Sequence, residues 1–457
     1  MADDTQIEED RYELDRETVA AIVEAAKSGA VDELSALMEP LHAADIADLL
    51  EQVEPDERTE VIRVYGAEMD GEILSEIDES IRDEVIDALA PDVLSDAVRE
   101  LESDDVVDLI EDLEAGQQET ILDALEDADR AVIEQALAYP EFSAGRLMQR
   151  ELVMGPEHWT VGEAIDYLRA RDDLPEEFYH MILVDPRLRP TGYVTLGKIL
   201  GHPRATPLQE LIEDSFRTIE ATEDEGEVAY AFNQYHLISA PVVDQDGRLV
   251  GVITIDDAMV VLDEEHEEDI LRLAGVGEES SLADKVIATT KRRFPWLAVN
   301  LVTAVLASMV IALFEDAIAQ LVALAVLMPI VASMGGNAGT QSLTVAVRAI
   351  ATKALPGANV WRVIRREVLV GLVNGVIFAV MMGIVGVVWF GSPMLGAVIA
   401  AAMVINLVVA GLAGTMIPVV LERLKIDPAL ASGAFVTTVT DVVGFFAFLG
   451  LAVVLLL

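Results

Sequence analysis

The 457-residue chain has no cysteine, which excludes disulfides, iron–sulfur clusters and thiolate zinc sites. Lysine is scarce: it supplies six of the thirty basic side chains, set against 81 acidic ones, for a formal charge of −51. A chain so negative repels nucleic-acid phosphates and anionic lipid headgroups, so neither is an expected partner. Acid excess with little lysine points to work in a salt-rich cytoplasm, as in a halophilic microbe. The first residues, MADDTQIEED, are acidic and polar, so no secretory signal is expected. Neither a nucleophile–base pair nor a phosphate-cradling loop is visible, so the chain does not read as an enzyme.

A hydrophobic content of 52% sits beside that charge, and the two properties occupy different places. From Phe294 onward there are six acids and seven bases, so residues 1–293 hold 75 acids, 23 bases and a net charge of −52. All six histidines, at 42, 158, 180, 202, 236 and 266, also precede that point. The second part therefore offers an ion only oxygen ligands.

A membrane span needs about 20 mostly apolar residues. Five stretches qualify, near 294–314, 318–346, 365–391, 394–421 and 429–457. The positive residues fall before the first span (Lys291, Arg292, Arg293), between the second and third (Arg348, Lys353, Arg362, Arg365, Arg366) and between the fourth and fifth (Arg423, Lys425). The positive-inside rule then puts the N-terminal part in the cytosol and the C-terminus outside a multi-pass cell-membrane protein.

Asp441 lies about 12 residues into the fifth span, roughly 18 Å along the helix and close to the bilayer midplane. A carboxylate there is costly and marks either a cation pathway or a structural ion pair. Every Lys and Arg of this half lies in or beside a cytosolic loop, which favours the pathway. Thr437 stands one turn earlier on the same face, and Gly444 three residues later allows close backbone approach. The second span carries Pro329-Ile330-Val331-Ala332-Ser333-Met334-Gly335-Gly336-Asn337-Ala338-Gly339-Thr340-Gln341. Proline and three glycines predict a loosened helix whose carbonyls, with Gly336 and the Asn337 amide, line a pore. The competing reading is a tight helix crossing, which fits Gly371 and Gly375 of the third span better. Carboxylate, amide, hydroxyl and carbonyl suit a hard cation such as Mg²⁺, held largely hydrated.

Residues 17–138 show short helical runs, such as Ile46–Leu50, Val85–Leu89, Val106–Ile110 and Ile121–Leu125, punctuated by Pro55, Pro91 and a break at 114–116. Stacked short helices of an α-solenoid are expected, without an assignable repeat. From Leu152 the pattern turns to two related α+β units, Met181–Asp185 with Gly192–Thr195, then Ala240–Thr254 about 60 residues later. The carboxylates of 263–269 then crowd against Asp256 and Asp257, where a divalent ion would relieve their repulsion.

The stretches PIVASMGGNAGTQ at 329–341 and DPALASGAFVTTVTDVVG at 427–444 resemble the signature spans of MgtE magnesium channels. YPEFSAGRLM at 139–148 is similar to that family's junction between its first two cytosolic domains. The resemblance implies a mixed fold: an all-α superhelical N domain (1–140), α+β tandem cystathionine-β-synthase-type (CBS) domains (141–203 and 204–262), a plug helix (263–293) and an all-α five-helix transmembrane domain (294–457). It implies a homodimer with the pore between protomers, Mg²⁺ as the transported and the regulatory ion, and Asp441 as the pore carboxylate with Asp427 at the cytosolic mouth. Regulatory ligands by correspondence are Asp257, Glu265, Glu268, Asp269, Asp104 and Asp108. Two positions depart from the family pattern: Ala434, often proline, and His236, commonly aspartate. In CBS domains a Gly-x-x-Thr-x-x-Asp pattern often serves a nucleotide ribose. The second unit has it as Gly251, Thr254 and Asp257, whereas the first has Lys198 at the acidic position. A site for ATP or another adenine nucleotide is thus confined to the second unit, and a purely structural role is the favoured reading. At about 1 M salt the Debye length is near 3 Å, so only direct coordination could carry a gating signal. The competing functions are a coupled divalent-cation exchanger and a membrane sensor that conducts nothing.

Overall fold

The structure, a computed structural model, describes residues 14–111, 113, 115–171, 174–175, 178–276, 286–353 and 359–457. The chain divides into two units, 1–265 and 266–457.

Among the described residues, the first unit opens with ten short α-helices, from Arg16–Ser28 to Asp127–Ala136. They are short because the sequence starts and stops them often. Pro55 and Pro91 each begin a helix, where the missing N–H costs nothing. Asp15, Asp70 and Asp78 accept bonds from first-turn amides. Ile22, Leu34, Leu50, Ile62, Leu74 and Ile110 share one continuous apolar core.

A repeat invisible in the hydrophobic pattern emerges from two buried arginines. Arg58 donates to the carbonyl of Val53, five residues back, and reaches Glu84, 26 residues on, at 2.6 Å. Arg82 donates to the carbonyl of Ile77, five back, and reaches Asp108, 26 on, at 2.8 Å. Each guanidinium caps a preceding helix end and ties it to a later helix, so buried carbonyls are satisfied at matching places in successive helix pairs.

Two three-stranded sheets follow. Strands β1 (Met154–Pro156), β2 (His180–Val184) and β3 (Pro190–Thr195) form one, and β4 (Ile219–Glu220), β5 (Ser239–Val243) and β6 (Leu249–Thr254) the other. In each sheet the first pair is parallel and the second antiparallel, with His180 opposite Thr195 and Ser239 opposite Thr254. The two sheets are thus the same motif used twice. β1 and β4 escaped the sequence reading because three and two residues carry no measurable alternation. The buried His180 ring bonds Ser239 across the two motifs, and burial pushes its pKa down to about 4, so it stays neutral.

An acidic helix, Ile255–Ala274, ends at Gly275, whose φ of +69° suits glycine. The plug helix expected over 263–293 is therefore interrupted, and residues 277–285 lie outside the described residues. A second helix begins at Val286 and enters the membrane part.

Among the described residues, five helices are long and apolar enough to span a membrane: Thr289–Ala312, Ala323–Ala351, Val360–Phe390, Pro393–Arg423 and Gly433–Leu456. The second begins later than expected. A separate short helix, Glu315–Gln320, precedes it, and Leu321 leaves the helical region with φ −135° and ψ 87°. The loosening expected between Pro329 and Gly339 is absent, because the α-helix runs unbroken from Ala323 to Ala351. Two of its three glycines, Gly335 and Gly339, serve close packing instead. A Cβ on Gly339 would meet Val436 at 2.6 Å, and one on Gly414 would meet the Gly339 carbonyl at 2.5 Å. Gly371 and Gly375 pack on Leu407 and Val404 of the fourth span, as the crossing reading expected. Small residues thus bring these backbones together where no hydrophobic force acts between helices.

Candidate ion pathway and acidic clusters

The fifth span lies within one helix, Pro428–Leu456, which carries Asp441 half-buried. Among the described residues no Lys or Arg pairs with its carboxylate. The nearest bases in sequence, Arg423 and Lys425, precede the helix's N-terminus. Thr437 is on the same helix, but its hydroxyl turns back to the carbonyls of Gly433 and Ala434 at 3.0 and 3.1 Å. The α-helix continues through Ala434. Gly444 does admit close approach: a Cβ there would lie 2.7 Å from Nδ2 of Asn406.

On the second span, Gly336 faces open space, with nothing within 4 Å of where a Cβ would stand. Asn337 is exposed, its amide 3.5 Å from Ser333 Oγ. Ser333, Asn337, Gln341 and Thr344 stand three or four residues apart and are all exposed in the single chain. They form a polar stripe along one helix face.

Asp427 Oδ1 accepts from the Ala429 amide at 2.7 Å, and its Oδ2 lies 3.2 Å from Arg272 Nη1. The same guanidinium reaches Glu268 at 2.7 Å. Burial and then the nearby charge of Asp427 push the Asp269 carboxyl above its usual range. Three carboxylates proposed as ligands thus gather around one arginine that the sequence reading did not single out.

In the first unit, Asp104 is buried at 8% exposure near Asp257. Burial, then the Asp257 charge, raises the Asp104 carboxyl well above the usual range. Burial likewise pushes Asp257 and Glu102 up to about 7 and Asp105 up to about 6. Asp108, one turn beyond Asp104, is held by Arg82. Glu265 lies over Gly226 in a second acidic group. There burial, then the charges of Glu111 and Glu264, pushes Glu225 to about 7. Among the described residues no set of three or more His, Asp or Glu side chains is arranged as a ready-made metal cage.

Thr254 donates its hydroxyl to Asp257 at 2.6 Å, and its amide faces the same oxygen at 3.4 Å. This is the local geometry of a helix N-cap with its third residue, which gives the Thr-x-x-Asp spacing a structural use of its own. In the first motif Lys198 instead pairs with Glu213 at 2.9 Å.

Two buried polar groups of the membrane part were missed: Glu367 reads as one more charge beside Arg365 and Arg366, and Asn406 is a single residue in an apolar run. Glu367 accepts from Ser342 Oγ at 3.0 Å between the second and third spans. Asn406, fully buried in the fourth, donates from Nδ2 to the Val331 carbonyl at 2.8 Å.

The family model for a divalent cation transporter, MgtE, matches residues 328–451. Those for the MgtE intracellular N domain and the CBS domain match 41–142 and 208–264. The magnesium transporter MgtE of Bacillus subtilis is 33% identical over 328 residues, 72% of each chain. That of Thermus thermophilus is 34% identical over 330 residues, 72% of this chain and 73% of the relative. A crystal structure of the cytosolic domain of the Mg²⁺ channel MgtE in complex with ATP is 29% identical, covering 53% of this chain and all of that one, with a TM-score of 0.48.

Proposed function

This chain belongs to the MgtE family of membrane-integral divalent cation transporters, and from that premise we propose that it is a Mg²⁺-selective channel for uptake across the cell membrane. The observation that carries the reading is the polar stripe Ser333, Asn337, Gln341 and Thr344, exposed along a membrane helix of the single chain. Such side chains do not face hydrocarbon at low cost, whereas a water-filled path lined by a second copy of the chain accommodates them. In the homodimer, each protomer contributes its Asp441 near the midplane. The two carboxylates attract a hydrated Mg²⁺ without stripping its water. Asn337 and the open face at Gly336 receive that water shell, with Thr437 and Gly444 keeping the neighbouring turns slim. Asp427 stands at the cytosolic mouth. The N-terminal domains are cytosolic and the C-terminus lies outside, which puts the loops rich in Lys and Arg inside.

Cytosolic Mg²⁺ closes the channel by binding acidic groups that otherwise repel one another. The ligands are Asp104, Asp108 and Asp257 with Glu265 in the first unit, and Glu268, Asp269 and Asp427 in the second. The raised carboxyl pKa values around Asp104 and Asp257 support this, since a cation relieves the same repulsion that a proton does. Closure follows if the cation-bound arrangement belongs to the closed state. An adenine nucleotide binds the second CBS motif at Thr254 and Asp257, and Lys198 leaves the first without the matching carboxylate.

Planar-bilayer recording tests the channel reading. Unitary currents under a Mg²⁺ gradient are expected, falling as Mg²⁺ is raised on the cytosolic side. Flux without unitary conductance, tied to a counter-ion gradient, would instead make the protein an exchanger.

A further inference from the structure

We propose that Asn406 is a positioning residue for the ion pathway: its amide fills the slot between Gly335 and Gly444 and so sets how the Asp441 helix meets the Asn337 helix. Asn406 lies 13 residues into a helix that starts at Pro393, about 20 Å along its axis and near the same depth as Asp441. It is wholly buried, and a primary amide at that depth is costly unless bonded.

Its neighbours explain its presence. Nδ2 donates to the Val331 carbonyl of the second span. A Cβ built on Gly335 would come within 2.2 Å of Nδ2 and 2.8 Å of Cγ. One built on Gly444 would come within 2.7 and 3.0 Å of the same atoms. The amide therefore occupies the volume two side chains would otherwise take, one from each of two helices. Glycine at both places is a steric requirement of Asn406.

Among the described residues, the Oδ1 atom has no conventional donor. It would lie 3.1 and 3.2 Å from those two Cβ positions, so it faces the bare glycine backbones, where weak Cα–H donors are the available partners. An apolar side chain of similar volume fills the slot but lacks the bond that fixes the second span's height. Gly335 directly precedes Gly336 and Asn337. Gly444 is one turn beyond Asp441. A shift at either glycine is thus carried to the ion-facing residues by a rigid helix turn.

The inference rests on the channel reading for its functional arm, and its structural arm stands apart from it. Full-length protein in proteoliposomes is compared as wild type, Asn406→Leu, Asn406→Ala, Gly444→Ala and the double variant Gly444→Ala/Asn406→Ala. Asn406→Leu is expected to elute and melt as a folded protein. Its Mg²⁺ concentration for half-maximal flux should rise on the order of tenfold, and its preference for Mg²⁺ over Ca²⁺ should shrink. Gly444→Ala should lower the melting temperature sharply, and Asn406→Ala should restore much of that loss in the double variant, because the added methyl then has room. Unchanged half-saturation and cation preference in both folded Asn406 variants would overturn the positioning role. Strictly additive melting shifts for Gly444→Ala and Asn406→Ala would overturn the shared slot. Should Asn406→Leu fail to fold, Asn406→Ala and the double variant decide both arms. A folded wild type without Mg²⁺ flux would refute the channel reading, leaving the melting cycle to decide the slot alone.

Discussion

The guanidinium of Arg272 lies 3.2 Å from the carboxylate of Asp427 and 2.7 Å from that of Glu268. A fixed cation of the chain thus stands among carboxylates proposed to bind a mobile one. The bridges are partly exposed, so screened solvent limits their worth to about 1 kcal/mol. Arg272→Gln is expected to lower the melting temperature in chelator by a few degrees. Millimolar Mg²⁺ should then stabilise the variant more than the wild type, since it replaces the missing charge. Thermal unfolding with and without Mg²⁺ checks this, and equal Mg²⁺ shifts in the two proteins would argue against it.

The buried carboxyls of the first unit fix a pH dependence. Asp257 and Glu102 titrate at about 7 and Asp105 at about 6 in the folded chain, against about 4 when unfolded. The folded state therefore holds more protons between pH 4 and 7. Stability linked to these groups is fully present below pH 4 and is lost as pH rises towards 7. Added Mg²⁺ should offset that loss, with a larger stabilisation at pH 7.5 than at pH 5. Melting of the full-length protein at both pH values, with and without Mg²⁺, measures the difference. A stabilisation independent of pH would remove the acidic cluster from the account.

Arg82 is the buried link of the helical repeat, holding the carbonyls of Ile77 and Asp108 together with the Asp108 side chain. Arg82→Ala leaves buried acceptors without a donor, at an expected cost of about 2–4 kcal/mol. Arg82→Lys should recover only part of it, because one ammonium cannot reproduce the planar fork. Chemical denaturation followed by helix signal gives both numbers, and a neutral Arg82→Ala would contradict the repeat's energetic role.

Gly414→Leu should disrupt the crossing of the second and fourth spans, since the obstacle is the Gly339 backbone oxygen rather than a movable side chain. Overpacking of this kind costs about 1–3 kcal/mol or more. Gly450→Ala, with nothing within 4 Å of the new methyl, should be neutral. Detergent-solubilised melting of the two variants compares them directly.

Much of this architecture was legible in the sequence, for identifiable reasons. Hydrophobic length marks spans reliably, because hydrocarbon thickness is a hard constraint. Asp441 stood out because a carboxylate has few reasons to lie at mid-membrane. Pro55 and Pro91 marked helix starts by their own geometry. The helix through Pro329–Gly339 was read as loosened because proline and glycine do weaken isolated helices. Packing against Asn406 and Val436 overrides that preference, and no local pattern reveals it. The arginine repeat also escaped notice. Its signal is one residue every 24, Arg58 then Arg82, and it acts through carbonyls that carry no sequence identity. Asp104 and Asp257 were named from family correspondence, whereas their mutual burial is a tertiary fact that composition hides among the 75 acids of residues 1–293.

The central claim is that Asp441 is the carboxylate an ion must pass. The most direct test is Mg²⁺ flux into proteoliposomes carrying equal amounts of folded wild type, Asp441→Ala and Asp441→Asn. The expected result is robust uptake by the wild type, with loss of at least about 90% in both variants, since Asp441→Asn keeps shape and removes charge. Wild-type flux in a folded Asp441→Ala protein would contradict the account.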